Sequence, residues 1–143
     1  MELTYGRYLK VEELLQLQQP LSEGPEHDEM LFIIIHQVYE LWFKQILHEL
    51  EKLKSSFQEG ERGKALHTLK RIRSILKVLV SQVDVLETMT PLEFLSFRER
   101  LQSASGFQSC QFRELEFTLG VKNPRHLEHY PQGSEERNRL EKK

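Results

Sequence analysis

Cysteine is almost missing from this 143-residue chain: the single Cys110 cannot close an internal disulfide. That removes the disulfide-stapled small folds and fits a reducing, cytoplasmic setting. Glycine (7) and proline (5) are few, while Leu, Glu, Lys and Gln are plentiful, a balance that favours helices. Neither sign of charge dominates, with 20 Lys and Arg against 22 Asp and Glu, so no basic face invites nucleic acid. The longest apolar run, Met30 to Ile35, ends at His36, far short of the roughly 20 residues needed to span a bilayer. No membrane or nucleic-acid partner is therefore expected. The N-terminus lacks the basic-then-apolar order of a secretory signal. There is no internal repeat, no Gly-rich phosphate loop, no nucleophile elbow and no CxxC pair.

What is present is helical periodicity, which fits one all-α domain over residues 1–143. A first helix is predicted over 10–18, stopped by Pro20, and a polar connection over 21–26. Leu31, Ile34, Ile35, Val38, Leu41, Trp42, Ile46, Leu50 and Leu53 recur at three- and four-residue steps, predicting a long helix over 27–57. Gly60 and Gly63 mark the next break, and 64–87 repeats the pattern. Thr90, Pro91 and Glu93 form the sharpest local signal: a cap, a first-turn proline and a capping-box glutamate. They predict a short helix over 91–101. A loop over 103–106, a helix over 108–119 ending at Gly120, an irregular stretch over 123–131 and a charged helix over 135–143 follow. In that last helix Leu140 is the only large apolar residue.

Two residues could carry chemistry. His36 interrupts an apolar helix and shares a face with Phe32, Tyr39 and Phe43. An imidazole set among aromatics can accept or donate a proton to a substrate N–H; equally, it can be a core histidine bonded to a backbone carbonyl. Arg98 falls on one side of its helix with Phe94 and Leu101. Its planar fork suits a carboxylate; equally, it can pair with Glu93 or Glu99, or lay its stem over apolar surface. Tyr5 and Tyr8 are paired aromatics in an N-terminal arm and must bury on this chain or on a neighbour. Ser105 and Gly106 offer backbone N–H groups before a helix, a weak anion-site signal. His126 and His129 lack further ligands at useful spacing, so no metal site is expected there. Cys110, Trp42 and Phe43 read as packing residues.

Taken together, these segments resemble one family. The run Tyr5-Gly6-Arg7-Tyr8-Leu9, the stretch HDEMLFIIIHQVYELWFKQI over 27–46, LETMTPLEFLSFR over 86–98 and SGFQS over 105–109 resemble, in order, the N-terminal half of the tryptophan 2,3-dioxygenases. The resemblance implies a truncated helical bundle of the tryptophan/indoleamine 2,3-dioxygenase type. It implies a haem b enzyme that adds both atoms of O2 across the indole C2–C3 bond of L-tryptophan, giving N-formylkynurenine in the kynurenine pathway. By that resemblance His36 bonds the indole N–H and Arg98 pairs with the substrate carboxylate. Phe32 and Phe94 wall the indole, Ile33, Ile34 and Ile35 complete the substrate stretch, and Phe97 lines the same pocket. Ser105 and Gly106 abut the haem. Tyr5 and Tyr8 reach a neighbouring subunit's pocket in a homotetramer.

The resemblance also implies that the proximal haem histidine and a substrate-binding threonine- and glycine-containing loop lie beyond the counterpart of Lys143. The chain alone is then expected to be inactive. Arg7 departs from the more often neutral or acidic residue of the family pattern. Alternatives are a non-catalytic helical fragment acting as an oligomerising module, or a related haem enzyme acting on another aromatic amino acid.

Overall fold

A computed structural model describes residues 3–24 and 26–143. Seven α-helices run in the order α1 (Tyr5–Leu9), α2 (Val11–Leu14), α3 (Asp28–Gln58), α4 (Arg62–Leu86), α5 (Pro91–Arg98), α6 (Cys110–Thr118) and α7 (Glu135–Glu141). Tight 3-10 turns cover Glu99–Leu101, Gly106–Gln108 and Pro124–His129. Among the described residues there is no strand and no helix long and apolar enough to cross a membrane.

The two long helices form an antiparallel hairpin. Its turn is set by Gly60, whose φ of +72° closes α3. The Glu61 N–H reaches back to the Ser56 carbonyl (2.8 Å) and the Gly60 N–H to Phe57 (3.2 Å), so two end-of-helix carbonyls are satisfied. Ile46, Leu50 and Leu53 of α3 pack on Ala65, Ile72, Ile75 and Leu79 of α4, with Leu115 of α6 closing one side. Each large apolar side chain buried here contributes about 1.5–3 kcal/mol. Two polar links fix the register. The Tyr39 hydroxyl donates to the Leu79 carbonyl (2.7 Å), and Arg71 donates to the buried Glu49 carboxylate (2.9 Å). Burial alone would raise the Glu49 pKa, but the Arg71 hydrogen bond and charge, with Gln45, hold it below its ordinary value.

The ends differ from the sequence prediction. Helix starts at Tyr5 rather than at residue 10, because the Thr4 hydroxyl caps it by accepting from the Arg7 N–H. Lys10 then takes a left-handed φ of 53° and splits α1 from α2. The 123–131 stretch is not irregular throughout: Asn123 caps and Pro124 begins a 3-10 turn. The last helix also has a buried face. Leu140 is 1% exposed and adjoins Phe117 and Leu127 around a small cavity. Near the N-terminal connection, the buried Glu29 accepts from the Leu21 (2.7 Å) and Ser22 (3.0 Å) N–H groups. This ties the connection to the first turn of α3.

Candidate functional site

Helix α5 carries half of the site and is held at its first turn. The Thr90 hydroxyl accepts from the Glu93 N–H (3.3 Å), and the Glu93 carboxylate accepts from the Thr90 N–H (2.6 Å). With Pro91 at the first position, this is the capping box that the sequence announces. Phe97 anchors the helix inward at 0% exposure. Its ring meets Phe94 edge-on (5.5 Å, 89°) and Phe32 of α3 at 5.6 Å and 63°. Phe32 in turn lies 5.7 Å from Phe94 and 4.1 Å from the His36 ring. The Arg98 guanidinium sits 5.6 Å above the Phe94 ring. Thus His36, Phe32, Phe94 and Arg98 form one continuous wall.

That wall borders a cleft of about 320 Å³, closed on the other side by Leu101 and residues 102–106. The volume is at the lower end of the range of roughly 300–1,000 Å³ for small-molecule sites. Gln102, on the rim, holds a positive φ of 50°, a strained state for a residue with a side chain and one that concentrates at functional sites. The loop is pinned by Ser105, whose hydroxyl accepts from the Phe107 N–H (3.3 Å) and whose N–H donates to the Gln108 side chain (3.2 Å).

Two polar groups of the cleft keep hydrogen-bonding capacity that this chain does not use. His36 Nδ1 lies 2.7 Å from the Phe32 carbonyl oxygen. A carbonyl only accepts, so Nδ1 carries the proton and the Nε2 lone pair of the neutral ring stays available. Nε2 faces Gly106, where an added Cβ would lie 3.8 Å away. The backbone-carbonyl bond of the plain core reading is therefore present, and it also fixes the tautomer. Arg98 is exposed, and among the described residues no carboxylate pairs with it. Glu93 is committed to the cap. A cation over an aromatic ring with unused donors can receive a planar anion bidentately.

Beyond Gly106 lies a second, largely apolar cavity of about 400 Å³, bounded by His36, Tyr39, Phe43, Phe107 and Phe112. His36 and the 105–106 loop stand between the two spaces. Phe43, taken from the sequence as packing, does pack against the core and also lines this cavity. Its ring is 6.0 Å from Tyr39 and 5.4 Å from Phe112; the four-residue spacing from Tyr39 was the available signal.

Other candidates stand apart. Phe97 supports the wall from behind and does not line the cleft. Ile35 is buried, Ile34 is exposed, and none of Ile33, Ile34 and Ile35 borders the cleft. Tyr5 and Tyr8 are 78% and 71% exposed on α1 and do not reach it. Among the described residues no group of three or more His, Cys, Asp or Glu is placed to hold a metal ion.

Comparison with known sequences bears on this arrangement. The profile of the family described as tryptophan 2,3-dioxygenase matches residues 1–142. A tryptophan 2,3-dioxygenase of Herpetosiphon aurantiacus is 62% identical over 128 residues, which cover 90% of this chain and 49% of that protein. One from an Anaeromyxobacter species is 61% identical over 131 residues, 92% of this chain and 49% of that protein. Another, from Bdellovibrio bacteriovorus, is 56% identical over 126 residues, covering 82% and 35%. The chain thus spans about half the length or less of these curated relatives.

Proposed function

This chain belongs to the tryptophan 2,3-dioxygenase family, and from that premise we propose that its cleft is the substrate site of an oxidoreductase that opens the indole ring of L-tryptophan between C2 and C3. The observation that carries the reading is the joint placement of His36 and Arg98 on one aromatic wall, with Nε2 and the guanidinium both uncommitted. Arg98 takes the carboxylate of the amino acid through two parallel N–H bonds, worth about 1.5–3 kcal/mol for a charged pair. Phe32 and Phe94 hold the indole face. His36 Nε2 accepts the indole N–H, an acceptor that a phenyl ring cannot satisfy. That mismatch selects tryptophan over other aromatic amino acids.

Haem b is the cofactor of this proposal, and the residues present fit one side of it. The apolar cavity beyond Gly106 is lined by aromatic rings, and a glycine at its edge lets a flat ligand approach. Ser105 and Gly106 would lie against the haem. The chemistry it supplies when bound is activation of O2. The chain's own contribution is position: Arg98, Phe94 and His36 orient the indole toward that side, and orientation alone can supply a large share of a rate. The protein ligand to iron belongs, in this proposal, to the portion of the relatives' length that this chain does not span. The exposed Tyr5 and Tyr8 suit a neighbour's cleft in a homotetramer, and the lone Cys110 suits the cytoplasm.

The test replaces the matching residues of the Herpetosiphon aurantiacus relative by this chain and follows oxygen-dependent product absorbance. Turnover of L-tryptophan is expected, with Arg98→Ala cutting kcat/KM by roughly ten- to a hundredfold. Unaltered kcat/KM in that variant would remove the carboxylate role.

A further inference from the structure

Among the described residues, Glu40 is the only carboxylate that borders either the cleft or the apolar cavity beyond Gly106. It stands on α3 four residues after His36, and both line that cavity. Side chains at this spacing share a face and tilt toward the helix N-terminus, so Glu40 leans back over the turn that carries His36. A carboxylate beside an imidazole favours the charged ring. A charged ring has a proton on each nitrogen and accepts nothing. The acceptor at His36 Nε2 therefore lasts only while the Glu40 carboxylate is held apart from it.

Gln111 holds that carboxylate. Its Nε2 donates to the Glu40 side chain (2.7 Å) and to the Glu40 backbone carbonyl (3.0 Å). Two bonds to one residue, one on the main chain and one on the side chain, restrict Glu40 to one rotamer. The amide is itself well placed, in the first turn of α6, where the Ser109 hydroxyl caps by accepting from the Phe112 N–H (3.1 Å). The neighbouring Phe112 ring rests on Phe43 of α3 at 5.4 Å. Other titratable groups around the pair do not take over this hold. Lys44, one turn further along α3, is exposed. Burial first, and then neighbouring charges that include Glu40, raise the Tyr130 pKa, so Tyr130 is a neutral phenol at neutral pH. Arg98 of α5 borders the cleft on the other side of His36, and its positive charge favours the neutral ring.

We propose that Gln111 is a positioning residue for the tryptophan site: by holding the Glu40 carboxylate it keeps the His36 ring neutral and Nε2 an acceptor for the indole N–H. This role rests on the reading of the cleft given above, but the protonation of the ring can be followed without any ligand.

The test is a pH titration of the histidine ring signals by NMR in the isotope-labelled chain. Gln111→Met keeps the length of the side chain and removes its donor. It is expected to raise the His36 midpoint by about half a pH unit or more and to leave His48 and His67 in place. Adding Glu40→Gln to Gln111→Met is expected to bring the midpoint back to that of the parent chain or below. Should Gln111→Met fail to fold, Gln111→Asn, which keeps the amide but not its reach, is expected to give the same rise. L-tryptophan affinity of the Gln111→Met chain should fall about threefold at about pH 6.5 and recover by about pH 8.5, where the ring has lost its extra proton. A loss caused by loosening of α6 alone would persist at both pH values and would overturn the proposal. So would an unmoved midpoint in a folded variant, or a rise that survives the added Glu40→Gln. A midpoint that moves as expected in a chain that binds no L-tryptophan supports the hold on Glu40 and counts against the proposed function alone.

Discussion

Replacing Phe97 by leucine separates a strut from a wall. Phe97 is 0% exposed and makes ring contacts at 5.5 and 5.6 Å with Phe94 and Phe32. Each such aromatic pair is worth about 0.5–1.5 kcal/mol beyond area burial, and the smaller side chain leaves part of its volume unfilled. The sum predicts a loss of about 2 kcal/mol in unfolding free energy. Phe94→Leu, at a half-buried residue bordering the cleft, should cost about 1 kcal/mol of stability, since water already covers part of the ring. Its effect on ligand should run the other way, weakening L-tryptophan about fivefold, because it removes the surface that faces the indole. Urea unfolding followed by circular dichroism gives the first quantity, with an unchanged slope confirming that the denatured state is comparable. Ligand titration gives the second. If Phe94→Leu destabilises more than Phe97→Leu, or if Phe97→Leu alone abolishes binding without loss of stability, the division of labour drawn here is wrong.

Two further outcomes follow from the same geometry. Gly106→Ala places a methyl group in ordinary contact with His36 Nε2, so thermal stability should stay within about 0.5 kcal/mol while L-tryptophan affinity falls; unaltered affinity would show that Nε2 faces elsewhere. Glu49 has a folded pKa below its ordinary value of 4.5. Its contribution is therefore fully present above that value and is lost as pH falls through the lower folded value. Glu49→Gln should flatten the acid limb of the stability profile below about pH 4.5, and an unchanged limb would place the acid sensitivity in other carboxylates.

Much of this was legible because local rules and tertiary packing agree. Thr90, Pro91 and Glu93 announced the start of α5 and fixed which residues share its side, so Phe94 and Arg98 could be paired before any coordinates. The i, i+4 step from Phe32 to His36 worked in the same way. Phe97 was placed in the pocket by the resemblance alone; periodicity put only Phe94, Arg98 and Leu101 on one side, and the structure turns the Phe97 ring into the core behind them. The N-terminal helix start was missed although Thr4 offered a cap, since the apolar pattern begins later. The left-handed Lys10 carries no signal at all, because its residue type does not favour that conformation. Leu140 looked isolated because its neighbours, Phe117 and Leu127, come from distant turns of the chain.

One comparison tests directly whether His36 and Arg98 grip a single ligand. L-tryptophan and tryptamine, which lacks the carboxylate, are titrated into the chain and into Arg98→Gln, with dissociation constants read from the His36 and Arg98 NMR signals. The account predicts that the parent chain prefers L-tryptophan by roughly tenfold or more, the worth of one charged hydrogen-bonded pair, and that Arg98→Gln erases the preference while leaving tryptamine affinity unchanged. Equal affinities in the parent chain, or a preference that survives Arg98→Gln, would contradict it.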